Sequence, residues 1–487
     1  MRAHRHNTRR ALLAILVSCL ALAGHANAAG AVRGTVEGEG GGALAGGRLV
    51  VVRQQPGGLR VSTTDANGRQ RPLINLDRLL RGFGSRWDEY DFAASGSSVV
   101  IAANRTELDE NPTDPVAFPV RSVVVAGDRT GRARRLRSCP RGGPQREGVA
   151  VDGRVAVFLG ADCKYFGAPL RVIDLRSGAA LRTIAPGDTS FLGVALAGRF
   201  LAASVGPDTF EPESEVRLYD WKTGELLGSV PAPEELGVTA FDVDAMGNLV
   251  VAYPSSRRSS TCSQADALLL LRPGAAGPRR LADESCGLGL RVSAGRLAFA
   301  RGKRPPVDGG SSDVTAVVVE DLAGGGRREV TKSFLGADVV DFDGRRIVVR
   351  SPRCTGTALS FSPADAPPER VPSCPVRVGV PGVLRVGPGG RVRISVTCPR
   401  GCPTGVRLSL FDSSAGRFLG LRNAEYGRPT VNLGTPPPRR VTLLLAPREL
   451  GHRAALDGSR VVIRASVLQL NGQNRRARVR ATLRFAP

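Results

Sequence analysis

The cysteines are the residues whose number and spacing say most about chemistry. The sequence has nine, of which Cys19 lies in an apolar N-terminal segment. The other eight are Cys139, Cys163, Cys262, Cys286, Cys354, Cys374, Cys398 and Cys402. An even number of cysteines in an exported chain indicates disulfide bonds. A typical zinc site needs two closely spaced ligand pairs and this sequence has one, so we predict disulfides and no metal site.

The histidines are too few for most catalytic sites. His4, His6 and His25 precede residue 29, which leaves His452 as the one histidine of the remaining sequence. A Ser-His-Asp triad or a histidine-rich copper site between residues 29 and 451 is therefore excluded. We predict no catalytic residue and no cofactor.

Carboxylate chemistry needs no histidine, because a glycoside hydrolase can work with one pair of Asp or Glu side chains. Two segments, 107–114 and 208–215, are rich in acidic residues. Charged runs usually solvate a surface, so a carboxylate-dependent glycoside hydrolase or lyase is the alternative function. This alternative requires acidic side chains from several structural units to converge on one cavity.

The first 28 residues have the pattern of a secretory signal peptide. Arginines precede an apolar run over 11–24, and Ala26-Asn27-Ala28 supplies the small residues of a cleavage site. We expect cleavage after Ala28, no transmembrane segment in the rest of the chain, and a secreted or cell-surface protein. The stretch that ends at Cys19 also resembles a bacterial lipobox, which leaves lipid attachment through Cys19 as an alternative.

Positive charge is concentrated in the C-terminal quarter. Residues 376–487 have 20 arginines and four carboxylate residues, which give +16 of the formal net charge of +24. Apolar residues alternate there with Arg391, Arg393, Arg476, Arg478 and Arg480, a period that predicts strands with these guanidinium groups pointing outward. We predict that these five arginines bind an anionic surface. The expected partner of a monomeric protein is an unknown protein or an envelope polymer, and not nucleic acid.

A repeat of 45 to 57 residues organises the sequence before this basic region. Each unit has an apolar run that follows a turn glycine. The seven glycines are Gly47, Gly96, Gly153, Gly198, Gly247, Gly295 and Gly344. The order of apolar runs and turns predicts four antiparallel strands per unit, joined by hairpins. One such unit cannot bury both faces alone, so we expect the seven to pack radially.

The second half of each unit resembles that of WD-repeat and quinoprotein-like β-propellers. Segments 170–184 and 216–230 both show an apolar strand that reaches an Asp, a turn with Gly, and another strand. The resemblance implies an all-β fold with a propeller of about seven blades over residues 29–375. Residues 73–83 have helical spacing and predict a short helix between the first two blades.

Propeller topology predicts how the cysteines pair. Connections between the second and third strands of a blade emerge on the same face as connections between blades, and six cysteines fall in these two kinds of loop. The predicted pairs are Cys139–Cys163, Cys262–Cys286 and Cys354–Cys374, and Cys398–Cys402 would close a local loop. Each longer pair closes about 20 to 25 residues, for which the chain-entropy estimate is roughly 3 kcal/mol.

Residues 376–487 form a separate all-β region. Alternating strands there predict an immunoglobulin-like β-sandwich, and Cys398-Pro-Arg-Gly-Cys402-Pro resembles small extracellular β-sandwich modules of high-GC Gram-positive bacteria. Gly390 follows Gly344 at nearly the repeat length, so an eighth blade is the competing interpretation. Together the patterns favour a secreted, non-enzymatic binding or scaffold protein, with the propeller face as recognition surface and the arginine-rich sandwich near an anionic cell envelope.

Overall fold

The computed structural model describes most of the chain after the N-terminal segment. The described residues are 34–37, 41–64, 69–83, 89–108, 117–128, 130, 132–140, 148–160, 163, 167–207, 214–233, 237–253, 266–304, 314–332, 334–354, 356–399, 406–412, 419–423, 430–431, 441–470 and 474–485. The predicted signal peptide, with Cys19, lies outside them. No helix in this described part is long and apolar enough to cross a membrane.

The first 363 residues contain seven antiparallel blades: five are separate four-stranded sheets, and the fifth and sixth together form one eight-stranded sheet. In the first four blades the strands are β2 (Gly41–Ala45), β3 (Arg48–Gln55), β4 (Gly58–Thr64) and β5 (Gln70–Pro72); β6 (Glu89–Ser95), β7 (Ser98–Leu108), β8 (Ala117–Asp128) and β9 (Ala133–Pro140); β10 (Val149–Asp152), β11 (Val155–Phe158), β12 (Leu170–Asp174) and β13 (Ala180–Ile184); and β14 (Ser190–Ala197), β15 (Phe200–Gly206), β16 (Glu215–Asp220) and β17 (Glu225–Pro231).

The last three blades are built differently: the fifth and sixth share one strand, and the seventh includes a strand that precedes the first blade. Their strands are β18 (Ala240–Val243), β19 (Leu249–Tyr253), β20 (Asp266–Leu271) and β21 (Arg279–Ser293); β22 (Arg296–Arg304), β23 (Val314–Asp321), β24 (Arg327–Glu329) and β25 (Phe334–Leu335); and β26 (Asp338–Phe342), β27 (Arg346–Arg353), β28 (Gly356–Pro363) and β1 (Gly34–Glu37). The first part of β21 pairs with β20 and the last part with β22, so one strand is outermost in the fifth blade and innermost in the sixth. The N-terminal β1 pairs with β28 and completes the seventh blade.

Two features close the ring of blades. The first strands contact one another in the closed order β2, β6, β10, β14, β18, β21, β26 and back to β2. Each neighbouring pair of blades also shares a buried apolar cluster, including the pair formed by the seventh and first blades. The all-β, seven-bladed propeller expected from the repeat is therefore confirmed.

The repeated glycines occupy equivalent turns. All seven lie between the first and second strand of successive blades and have a positive φ, from 57° at Gly153 to 84° at Gly344. A side chain is strained in this left-handed region, which explains why glycine recurs there. The predicted short helix is also present as α1 (Ile74–Leu79), and it buries Leu76 between the first two blades.

The C-terminal region forms one set of nine strands. These are β29 (Arg377–Gly379), β30 (Val383–Val386), β31 (Arg391–Thr397), β32 (Val406–Asp412), β33 (Leu421–Asn423), β34 (Thr430–Val431), β35 (Val441–Leu445), β36 (Arg460–Leu468) and β37 (Asn474–Phe485). They pair in the order β33-β35-β31-β30-β37-β36-β32-β34, with β29 beside β31. Gly390 lies in the turn between β30 and β31, but β30 pairs in parallel with β37 within the C-terminal set of strands, so the segment is not an eighth blade. Two short helices, α2 (Pro447–Gly451) and α3 (Arg453–Leu456), precede β36.

The turn after β36 docks the C-terminal strands onto the propeller. Leu470 is fully buried in the apolar cluster between the sixth and seventh blades. Its neighbour Gln469 donates to the carbonyl oxygen of Cys374 and accepts from its backbone N–H, both at 3.0 Å. Arg475 donates to the hydroxyl of Ser373 at 2.6 Å. This contact fixes the C-terminal strands beside the last two blades.

Two of the predicted disulfides are present. Cys139 bonds to Cys163 and joins the second blade to the third, and Cys354 bonds to Cys374 at the end of the seventh blade. Cys398 is also disulfide-bonded. The positions of Cys262 and Cys402, and the side chain of Cys286, lie outside the described residues, so the other two pairings stay predictions.

Candidate functional site

Three first strands place an aspartate on the propeller axis. Asp91 in β6 accepts from the backbone N–H of Phe92 at 2.8 Å and of Val149 in the next blade at 3.0 Å. Asp242 in β18 accepts from the N–H of Val292 in the next blade at 2.7 Å. Each carboxylate therefore joins its own blade to its neighbour.

Asp341 makes the third contact of this kind. It accepts from the N–H of Phe342 at 2.8 Å and from that of Leu44, which belongs to the first blade. Its position in β26 means that this contact joins the last blade to the first. The three aspartates thus connect the second to the third, the fifth to the sixth and the seventh to the first blade.

Burial makes these carboxyl groups hard to ionise. It raises the pKa of Asp91, Asp242 and Asp338 to about 6, and it raises the pKa of Asp341. Removal from water disfavours the charged form, while Arg291 and the backbone N–H donors oppose the shift. Arg291 acts electrostatically on all four carboxyl groups. It is the central cation of a small acidic cluster.

Two cavities meet at the axis, and we call them together the axial cavity. The larger has a volume of about 1240 Å³ and the smaller about 280 Å³, and both are lined by Asp91 and Arg291. The larger is also lined by the turn after β3 and by Phe83 between the first two blades. Loops of these two kinds include the described disulfides, so the cavity opens on the same face as they do.

The axial cavity has mixed chemistry rather than a catalytic pair. Tyr90, Phe92 and Arg350 contribute aromatic and cationic groups to the larger part. Asp91 is the one carboxylate that lines either part within the described residues, and both of its oxygens accept backbone hydrogen bonds. No group of three or more potential metal ligands occurs in the part of the chain that the structure describes.

The two described residues of the acidic segments named from the sequence are not part of this cluster. Glu107 is exposed, Glu215 pairs with Arg217 at 2.6 Å, and their remaining acidic neighbours lie outside the described residues. The axial aspartates instead come from first strands. Asp91 and Asp242 both lie five residues before a turn glycine. Their equivalent positions can be seen in the repeat, but their role cannot be predicted from it, because each bonds to the neighbouring blade.

The five arginines named from the sequence lie on two strands. Arg391 and Arg393 are exposed on β31 and alternate with buried residues. Arg476, Arg478 and Arg480 are exposed on β37. The alternation is as expected, but β31 and β37 do not pair, because β30 lies between them in the strand order. The structure therefore does not bring the five into one row.

A larger group of arginines surrounds those of β37. Strand β36 pairs with β37 on one side and β32 on the other, with Arg464 directly opposite Arg478. Alternate residues on each of these three strands face away from the C-terminal core, and we call their arginines the arginine face: Arg407, Arg460, Arg464, Arg476, Arg478, Arg480 and Arg484. Arg484 pairs with Asp457 at 3.3 Å. Asp412 is the single carboxylate residue in the three strands. It lies at a position of β32 that faces the opposite side from Arg407, and it is 8% exposed.

A groove of about 610 Å³ lies at one end of the arginine face. Arg460, Arg464 and Arg480 line it together with Phe411 and the carboxylate residue Asp412, whereas Arg478 does not line it. The guanidinium carbon of Arg464 lies 4.1 Å from the centre of the Phe411 ring. This cation–π contact restricts the position of the arginine side chain. Sequence reasoning named β37 and omitted Arg407, Arg460 and Arg464, because cross-strand register cannot be read from one strand.

Comparison with known proteins finds distant structural similarity at low sequence identity. No family model matches the sequence, and no curated protein does. A structure from a study of two prolyl endopeptidases has a TM-score of 0.46 at 13% identity. The match covers 80% of this chain and 54% of that one. The β-propeller domain of the Trilobed protease from Pyrococcus furiosus has a TM-score of 0.43 at 9% identity, covering 69% of this chain and 96% of that one. BamB from Moraxella catarrhalis has a TM-score of 0.34 at 12% identity, with coverage of 66% and 84%.

Proposed function

We propose that this is an exported, non-enzymatic binding protein that is held at an anionic surface by its C-terminal strands. The arginine face carries the proposal. Seven arginines lie on one side of three paired strands that contain a single, buried carboxylate residue. Within the described residues no ion pair joins Arg464, Arg476 or Arg478 to a carboxylate. Such a face attracts polyanions through a field that salt screens over about 8 Å.

The strand order supports an immunoglobulin-like sandwich as the scaffold of this face. β30 pairs in parallel with β37 and antiparallel with β31, and so links two sets of strands. Buried residues from both sets, such as Val392 and Ile463, belong to one apolar core. Two sets around one core are typical of a sandwich, in which the arginine face would be the outer side of one sheet.

The propeller would supply the recognition surface. Its axial cavity has aromatic, amide and oppositely charged groups in its wall. Cavities with a few polar groups among apolar ones are the usual sites for ligands. The two described disulfides would keep loops on this face of the propeller in place.

The carboxylate-dependent hydrolase receives less support from the same cavity. Acidic side chains from three blades do converge on the axis, as that function requires, and their raised pKa resembles that of a general acid. Asp91 alone lines the cavity among the described carboxylates, however, and it is held by two backbone N–H groups. A second carboxylate is needed for hydrolysis with either stereochemical outcome.

The test of the proposed function is binding to vesicles that contain an anionic phospholipid, and to a soluble polyanion, across a salt series. The full chain from residue 29 should bind at least one of them at low salt and release it as salt rises. The triple variant Arg476→Gln, Arg478→Gln, Arg480→Gln should bind about tenfold to a hundredfold more weakly, since an exposed ion pair contributes up to about 1 kcal/mol.

A matched control removes the same charge from the propeller. Arg71, Arg78 and Arg81 are exposed around α1, and their replacement by Gln should change binding less than twofold. Equal losses in the two triple variants would show that total charge matters rather than the arginine face. Binding that is absent at low salt would refute attachment altogether.

A further inference from the structure

We propose that the arginine face binds the phosphate groups of a linear phosphate polymer, with Arg464 and Arg478 as its central pair. This inference rests on the proposed function, because it names the ligand of the same face. It commits to a chain of phosphates along the arginine face, and not to a nucleic acid, a lipid surface or a carboxylate polymer. Four features of the face support it.

The first feature is the opposition of like charges. Arg464 and Arg478 are directly opposite in the β36–β37 ladder, and Arg476 and Arg480 lie two residues to either side of Arg478 on the same strand. Like charges directly across two strands destabilise a sheet. A bound anion with two or more oxygens removes that repulsion, and phosphate offers more acceptor oxygens around one centre than a carboxylate does.

The second feature is the spacing of the cations. Alternate residues on a strand are about 6.7 Å apart, and opposite residues have Cβ atoms about 5 Å apart. The guanidinium groups of Arg476, Arg478 and Arg480 therefore form a row beside Arg464 and Arg460. A flexible chain with a charge on every unit can place successive anions along such a row.

The third feature is the fixed position of Arg464. Its guanidinium stacks on Phe411 at 4.1 Å, and its Nε–H is buried without a hydrogen-bond partner among the described residues. A buried donor without a partner is unfavourable. An anion in the groove of about 610 Å³ is the partner that this arrangement lacks, and the stacked ring keeps the fork of donors oriented towards it.

The fourth feature separates a soluble polymer from a bilayer. Proteins that bind in a bilayer interface insert apolar side chains beside their basic residues. The exposed large hydrophobic residues within the described part of the chain are Ile74, Leu181, Leu226, Met246 and Val383. None of them is on β32, β36 or β37, and Phe411 is covered by Arg464. The face has cations and a groove, but no apolar anchor.

The experiment compares polymers of equal charge on the full chain from residue 29. Inorganic polyphosphate, polyglutamate, single-stranded DNA of the same number of charges, and anionic vesicles are titrated at one physiological salt concentration. Polyphosphate should bind at least tenfold more tightly than each of the others. Equal binding of polyglutamate would overturn the phosphate assignment while leaving the proposed function in place, whereas tighter binding of DNA or vesicles would replace the ligand class.

A charge-conserving variant tests the pair itself. Arg464→Lys keeps the charge but loses the planar fork and much of the stacking on Phe411, so it should weaken polyphosphate binding at least fivefold and leave polyglutamate binding unchanged. Arg478→Lys provides a second variant on the other strand, with the same expectation. Arg393→Lys on β31 is the matched control and should have no effect. If all three variants bind polyphosphate like the wild type, the central pair is not the site.

Discussion

Asp91, Asp242 and Asp341 each accept a hydrogen bond from an N–H that the first strand of a blade directs towards the axis. A first strand pairs with a partner on one side only, so the N–H groups on its other edge need acceptors. The aspartates supply them for Val149, Val292 and Leu44. The equivalent positions of the third and fourth blades, five residues before the turn glycine, are Gly148 and Gly193, and there the smaller cavity opens instead.

The raised pKa of Asp242 predicts that this carboxylate lowers the free energy of unfolding as pH rises. A pKa raised by burial means that the group favours folding while it is protonated, below its ordinary pKa of 3.8, and that this contribution is lost as pH rises through about 6. Between pH 4 and pH 7 the free energy of unfolding of the wild type should therefore fall by up to about 3 kcal/mol relative to Asp242→Asn. Urea unfolding at a series of pH values measures it.

The same series on Asp91→Asn checks the cause. Burial raises the pKa of Asp91 to about 6 as well, so its difference from the wild type should change in the same direction over the same range. A stability difference that stays constant from pH 4 to pH 7 in both variants would contradict the burial of these carboxylates.

Asp244 shows what the sequence could predict at this scale. Asp242-Val-Asp244 superficially resembles a calcium loop, and the sequence favours a hairpin turn instead. Asp244 accepts from the N–H of Met246 and Asn248 at 2.9 and 3.0 Å, as a turn residue does. It also accepts from the N–H of Gly295 in the next blade at 2.8 Å. That contact, like those of the axial aspartates, could not be predicted because it depends on a neighbouring blade.

At the scale of elements, β21 is unusual because it belongs to two blades. Ser285 is the last residue that pairs with β20 and the first that pairs with β22, and the register shift that follows contains Gly289, which has a φ of 67°. A Cβ at this position would lie 1.9 Å from the carbonyl oxygen of Val339 and 2.2 Å from Oδ1 of Asp338. Glycine therefore allows β21 to pass close to β26, which is the next first strand in the ring.

This close approach predicts that Gly289→Ala is severely destabilising. The substitution adds a steric clash with backbone to the ordinary cost of a side chain at positive φ, so we expect a loss of more than 3 kcal/mol. Gly324→Ala is the matched control, because Gly324 has a φ of 96° and nothing within 4 Å of its Cβ position. It should lose only about 1 kcal/mol. Similar losses in the two variants, measured by thermal unfolding, would show that the clash is relieved by a small shift.

Some elements could be predicted from the sequence and others could not. The turn glycines carry their own signal, because positive φ selects glycine at a constant spacing. β1 carries none: its four residues pair with β28, more than 300 residues away, so closure by the N-terminal strand depends on the completed ring. The arginine face needs the register of three strands, and one of them, β32, contributes a single arginine.

At the scale of the whole molecule, the propeller and the C-terminal strands form a connected structure. The bond between Cys354 and Cys374 fixes the start of the connection to the seventh blade. Gln469 then holds the backbone of Cys374 from the other side, and Leu470 fills the apolar cluster of the last two blades. The docking contact lies on the turn after β36, which is a strand of the arginine face.

The docking contact predicts coupled unfolding of the two regions. Leu470 is fully buried against the propeller, and replacing a buried leucine by alanine costs about 2 to 5 kcal/mol. In Leu470→Ala this loss falls on the contact between the regions, so calorimetry should resolve two transitions where the wild type has one. Leu226, which is 51% exposed on the fourth blade, gives the control, and Leu226→Ala should unfold like the wild type. A single transition for Leu470→Ala at an unchanged temperature would mean that the propeller and the C-terminal strands do not depend on this residue for their coupling.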